Sequence, residues 1–139
     1  MKLLALDHGT ARTGVAVSDP TGALVRPLAA IERVDSPAGM RALAAVIARE
    51  APERIIVGEP RLLSGERGSQ ARAASGFADR LRGRFGLPVE LVDERLTTRE
   101  AERRMAEAGP RRRIPDLDSV AACVLLESVL MRSGSEARG

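Results

Sequence analysis

Asp7 ends an apolar run that begins at Leu3, Asp93 and Glu94 end a second that begins at Val89, and Asp118 opens an alanine-rich apolar stretch. Carboxylates at the ends of buried strands collect at one edge of a sheet, outside which open α/β folds place their ligands. Brought close together they repel, and their pKa values rise unless a cation sits between them. Hard oxygen donors in a small cluster suit Mg²⁺ or Mn²⁺. Two such ions about 3.5–4 Å apart activate water and stabilise the departing oxygen in phosphodiester hydrolysis. Each acid also has a plainer role open to it. Asp7 could bond the backbone at Gly9 as a turn residue, Asp93 or Glu94 could be a solvated strand end, and Asp118 suits a first helical turn through the macrodipole. Asp93 and Glu94 point to opposite faces of their strand, so at most one of them joins the cluster. His8 faces away from Asp7 and reads as structural, and Glu100 and Arg104 read as a solvated i,i+4 pair.

The cationic residues suggest what the acids would act on. Lys2 is the one lysine among 22 cationic side chains, leaving 21 arginines in a chain of net charge +3. Arginine's planar fork matches phosphate oxygens. An excess of it can reflect genome composition as well as a partner, so placement is more telling than number. Arg111, Arg112 and Arg113 run consecutively, five residues before Asp118. With no Trp or Tyr and two Phe, stacking of bases on aromatic platforms is not the expected mode of binding. One His and one Cys exclude a soft-metal constellation, and Cys123, in a run apolar on every side, reads as a buried inert thiol. No apolar stretch is long enough to span a bilayer, and the chain opens directly on a strand, so a cytoplasmic protein is expected.

The elements that must position these residues follow from the apolar patterning. Lys2–Leu6 and Thr13–Val17 read as a strand hairpin, with a third strand over Val25–Glu32. Ser36 and Pro37 open a helix to about Glu50. Ile55–Gly58 reads as a strand buried on both faces, and Ser69–Phe85 as a helix. Val89–Val92 is a further strand, Thr97 or Thr98 caps a helix to about Ala108, and Asp116 caps a last helix from about Asp118 to Met131. Ala121 and Ala122 let that helix sit close to the sheet. The pattern predicts an α/β fold, a mixed β-sheet flanked by α-helices, in one domain over residues 1–132 with a disordered tail at 133–139.

Four segments carry a family resemblance. They are Asp7 to Ala16 (DHGTARTGVA), Val57 to Pro60 (VGEP) with Gly65 following, Val92 to Thr98 (VDERLTT), and Asp118 to Ala122 (DSVAA). In this order they resemble the YqgF/RuvX family, described as Holliday junction resolvases and pre-16S rRNA nucleases. The resemblance covers Met1 to about Met131. It implies a ribonuclease H-like fold, metal-dependent nuclease activity and a part in maturing the 5′ end of 16S rRNA. It makes Asp7, Glu94 and Asp118 the catalytic, metal-binding set for Mg²⁺ or Mn²⁺, and points to Arg12 and Arg95 as substrate-binding or site-ordering residues. Two positions depart from the family's glycine-proline loop, which usually reads Gly-Leu-Pro with an aspartate before its second glycine. Glu59 and Ser64 stand there instead, which bears on the loop's contact with substrate more than on the metal.

The expectation is a nuclease acting on precursor rRNA, with Arg111, Arg112 and Arg113 on phosphates and ribosomal assembly particles as a further partner. It would act as a monomer or homodimer, with no membrane partner. Branched DNA is the alternative substrate, since no reader of a 2′-hydroxyl is identifiable. A non-catalytic RNA-binding or ribosome-assembly module is a second alternative. A nucleotide-binding ATPase is a third, because DHGTARTG resembles the first phosphate loop of the actin and sugar-kinase superfamily, although such proteins use two lobes and no P-loop lysine follows Gly14.

Overall fold

The computed structural model describes residues 1–60, 64, 66–97, 99–108 and 117–138, and of residues 96, 105, 108, 117, 118 and 133–138 the backbone alone. β1 (Leu3–Asp7) is apolar on both faces because it is the middle strand of five. β2 (Arg12–Ser18) returns antiparallel to it, and β3 (Val25–Glu32) pairs antiparallel with β2. β4 (Arg54–Glu59) and β5 (Val89–Asp93) add parallel strands on the other side, giving the order β3-β2-β1-β4-β5. The parallel strands β1, β4 and β5 therefore all end at one edge, and they end in Asp7, Glu59 and Asp93.

Helices cover both faces. α1 (Pro37–Glu50) starts where Ser36 Oγ accepts from the Gly39 amide at 3.0 Å, with Pro37 in its first turn. α2 (Ser69–Phe85) is stopped by Gly86 in the left-handed region, φ 65°. Arg82 then ties this helix to β5, donating from Nε and Nη2 to the Val89 carbonyl at 3.1 and 2.7 Å. Alternation splits the core in two. Leu4, Leu6, Val15, Ile55 and Val57 face α1 and α2, packing against Leu43, Phe77 and Leu81. Leu3, Ala5, Ala16, Ile56 and Val92 face α4 (Leu117–Arg138), packing against Ala122, Cys123, Leu125 and Leu126. Cys123 is buried, as its surroundings in the sequence suggest.

Several boundaries differ from those expected. β1 runs to Asp7 because its pairing with β2 continues through Asp7 and Gly14, so the carboxylate is held inside the ladder. α3 spans Arg99–Ala108, and its Arg104 reaches across to Glu127 of α4 at 2.7 Å instead of pairing with Glu100. A buried carboxylate gains more from a cation than an exposed neighbour on the same helix does. α4 continues to Arg138, over residues expected to form a disordered tail. Once a helix is nucleated each added residue contributes a hydrogen bond, and Ser133–Gly134–Ser135 contains no proline to interrupt it. The expected cap at Asp116 and the alternative cap at Thr98 lie outside the described residues.

One polar side chain seats the start of α4. The β2–β3 register shifts between Thr13 and Val15, a bulge at Gly14. Just beyond it, Ser119 Oγ accepts from the Val15 amide at 3.2 Å and donates to the Leu28 carbonyl at 2.6 Å. Ser119 is fully buried, and it adjoins Asp118. Ser119→Ala removes both bonds inside the core, and a lost bond to a buried backbone group costs about 1–3 kcal/mol. Urea unfolding is expected to show an unfolding free energy lower by that amount, seen as a lower midpoint with an unchanged slope.

Candidate metal-binding site

The last strand delivers its acids to opposite faces because the chain turns immediately after Asp93. The Asp93 carboxylate accepts from the Arg95 amide at 2.9 Å, which starts a 3₁₀ turn over Glu94–Leu96. Asp93 also takes the Arg95 guanidinium as a fork, through Nε at 3.2 and 3.1 Å and Nη2 at 2.7 Å. Glu94 goes the other way, across the end of β4. A Cβ on Gly58 would collide with Glu94 Oε1 and stand 3.0 Å from its Cγ and from Leu125 Cδ2. Glycine at the end of β4 is thus a requirement of packing: any side chain there would occupy the path of Glu94.

Across Gly58, Glu94 meets Asp7. Glu94 is pushed up to about 8 from its ordinary 4.5. Burial is the largest cause, followed by the neighbouring Asp7 carboxyl and then the charge of Asp93. Glu94 Oε1 is buried and has no hydrogen-bond partner among the described residues.

Other buried carboxylates in this protein are treated differently. Glu50 is surrounded by Lys2, Arg26 and Arg49 at 3.2, 2.6 and 3.1 Å, Glu127 has Arg104, and Glu59 has Arg67 at 3.0 Å. Glu94 has an acid beside it instead. A buried oxygen without a partner among the described residues, on a carboxyl group set beside a second acid, is what a hard divalent cation would complement, so the residues fit such an ion.

Asp118 lies in the first turn of α4, which packs on β1 and β2, and its side chain lies outside the described residues. The described side chains accordingly supply two carboxylates of the expected three, and no group of three or more metal-ligating residues occurs among them. Arg12 is exposed at the start of β2, beyond a tight turn where a Cβ on Gly9 would strike the Arg12 carbonyl. Arg111, Arg112 and Arg113 lie outside the described residues. His8 packs away from Asp7, as its alternation implies. Its ring stacks on Phe77, centroids 4.6 Å apart, and its Nε2 lies 2.9 Å from Asp35, which also binds Arg80. Three contributors escaped the sequence reading: Gly58, Ser119 and the Glu59–Arg67 pair. For Gly58 the signal was present, a glycine closing an otherwise apolar strand.

A five-stranded mixed sheet with helices on both faces and acids at the ends of its parallel strands defines a ribonuclease H-like fold. It superposes on RuvC of T. thermophilus, solved with a Holliday junction substrate, with a TM-score of 0.66 at 17% identity, covering 97% of this chain and 96% of that one. The fowlpox virus resolvase, solved with Holliday junction DNA, gives 0.56 at 15% identity, covering 96% and 98%. The family model described as RuvX: Holliday junction resolvase matches residues 1–132, and the chain belongs to that family. Relatives include proteins of Moorella thermoacetica, 42% identical over 96% of this chain and 97% of its own length, and Desulforudis audaxviator, 39% identical over 94% of each. Both are named as candidate pre-16S rRNA nucleases.

The raised pKa of Glu94 has a thermodynamic consequence with a definite sign. Without metal, the folded protein holds a proton on Glu94 that the unfolded chain releases near pH 4.5. Stability from this group is complete below about pH 4.5 and is lost as pH rises through about 8. In EDTA the melting temperature is expected to fall over that window, and Glu94→Gln is expected to remove this fall and to be more stable than wild type at pH 8.5.

Proposed function

We propose that this protein is a metal-dependent nuclease that trims precursor 16S rRNA at its 5′ end. The observation that carries the reading is the apposition of Asp7 and Glu94 with Oε1 of Glu94 left without a partner. The family and the names of its relatives supply the substrate class. Asp7 and Glu94, with Asp118 from α4, would hold Mg²⁺ or Mn²⁺. Such an ion, when bound, supplies an activated water and charge stabilisation at the leaving oxygen.

The chain's own residues provide the rest. Asp7 is fixed by its place in the β1–β2 ladder, and Gly58 keeps the way open for Glu94. Packing of α4 through Ser119 sets where Asp118 enters. The Arg95 guanidinium, held by Asp93, and Arg12 beyond the β1–β2 turn offer cationic contacts for the phosphate backbone, as would Arg111, Arg112 and Arg113. Action in the cytoplasm, on ribosomal assembly particles, by a monomer or homodimer completes the reading. No helix among the described residues is long and apolar enough to cross a membrane.

Branched DNA is the second reading, favoured by the family description and by the fold shared with junction resolvases. Purified protein is incubated with precursor rRNA and with a four-way DNA junction at equal salt and Mn²⁺. Wild type is expected to cut the RNA, and Asp7→Asn to lose at least about 100-fold in rate, equivalent to about 2.7 kcal/mol in the barrier. Preferential cutting of the junction would move the assignment to DNA. Cleavage by Asp7→Asn at the wild-type rate would end the nuclease site as drawn.

A further inference from the structure

The face of the sheet edge opposite Asp7 and Glu94 carries a second construction. Glu59 and Asp93 are register partners across β4 and β5, so their Cα atoms lie about one strand spacing apart, roughly 5 Å. Both follow residues that pack toward α1 and α2, Val57 and Leu91, at the two-residue period of a strand. Each holds an arginine. Asp93 grips Arg95 as a fork, and Glu59 Oε1 accepts from Arg67 Nε at 3.0 Å. The two guanidinium side chains are comparably exposed, 43% for Arg67 and 40% for Arg95, above carboxylates that are much less so.

Burying Glu59 is costly, and an apolar side chain would close the strand end more cheaply. The residue is only 4% exposed. What the carboxylate adds is orientation. A guanidinium bonded through Nε from below is fixed in direction, and its two terminal nitrogens are not used in that bond. The need for cations here is electrostatic. The edge gathers Asp7, Glu59, Asp93 and Glu94, whose charges repel an approaching polyanion.

We infer that Arg67 and Arg95 form a paired clamp for the phosphate backbone of the nucleic acid, with Glu59 and Asp93 as the residues that position them. This rests on the nuclease reading for the kind of ligand, but the clamp is a claim about binding and is tested apart from cleavage.

The probe is a fluorescent structured RNA from the 5′ precursor region, titrated by anisotropy in EDTA over a range of salt, beside cleavage kinetics in Mn²⁺. Arg67→Ala is expected to weaken binding about 5–10-fold, to lower the slope of log affinity against log salt by about one contact, and to raise KM with kcat unchanged. Arg67→Lys should recover the slope but not the full affinity, because a point charge replaces a fork. Glu59→Gln should raise KM and leave the slope at its wild-type value. An unchanged affinity and salt slope in both Arg67 variants, with a shift in melting temperature alone, would overturn the clamp. Absence of cleavage by wild type would defeat the nuclease reading, while the EDTA binding series would still decide the role of Arg67.

Discussion

Two carboxyl groups pressed together, Asp7 and Glu94, are the constraint around which the rest of the structure is organised. Their proximity is unfavourable when both are ionised, and among the described residues no arginine pairs with Glu94. Instead Glu94 takes up a proton and leaves one oxygen buried without a partner among the described residues. Proteins tolerate such an arrangement where the missing charge is supplied from outside, and a hard divalent cation is the natural complement. The contrast with Glu50, Glu59 and Glu127, each supplied with cations from within the chain, marks this pair as set apart.

Much of the remaining architecture follows from the need to keep that pair in place. β1 is central and its pairing extends through Asp7. A turn capped by Asp93 ends β5 and sends Glu94 back over Gly58. On the far side of the sheet, Phe77 and its neighbours fill the core beneath β1 and β4. The hydroxyl of Ser119 ties the start of α4 to the bulge of β2, one residue from Asp118, the third acid expected from the sequence. The site is thus held from strands, a turn and a helix whose own stability is supplied by ordinary aliphatic packing.

The parts of this that were legible in the sequence are those governed by short-range pattern. Strand ends could be seen because apolar runs such as Leu3–Leu6 and Val89–Val92 stop at acids, and the expected separation of Asp93 from Glu94 holds although a 3₁₀ turn, not strand alternation, produces it. Ser36–Pro37 announced α1. What escaped depends on partners far apart in the chain. Arg104 looks paired with Glu100 at i,i+4, but its partner is Glu127 on another helix. A serine inside a helix gives no hint that Ser119 completes a bulge in β2. Gly58 read as the end of a strand, whereas its lack of a side chain makes room for Glu94.

The most direct measurement is a crystal grown with Mn²⁺, with anomalous scattering used to locate the ion. Density in contact with carboxylate oxygens of both Asp7 and Glu94, with Asp118 turned toward it, is the expected result. Mn²⁺ bound elsewhere, with no density between Asp7 and Glu94, would contradict the reading of this pair as part of a metal site.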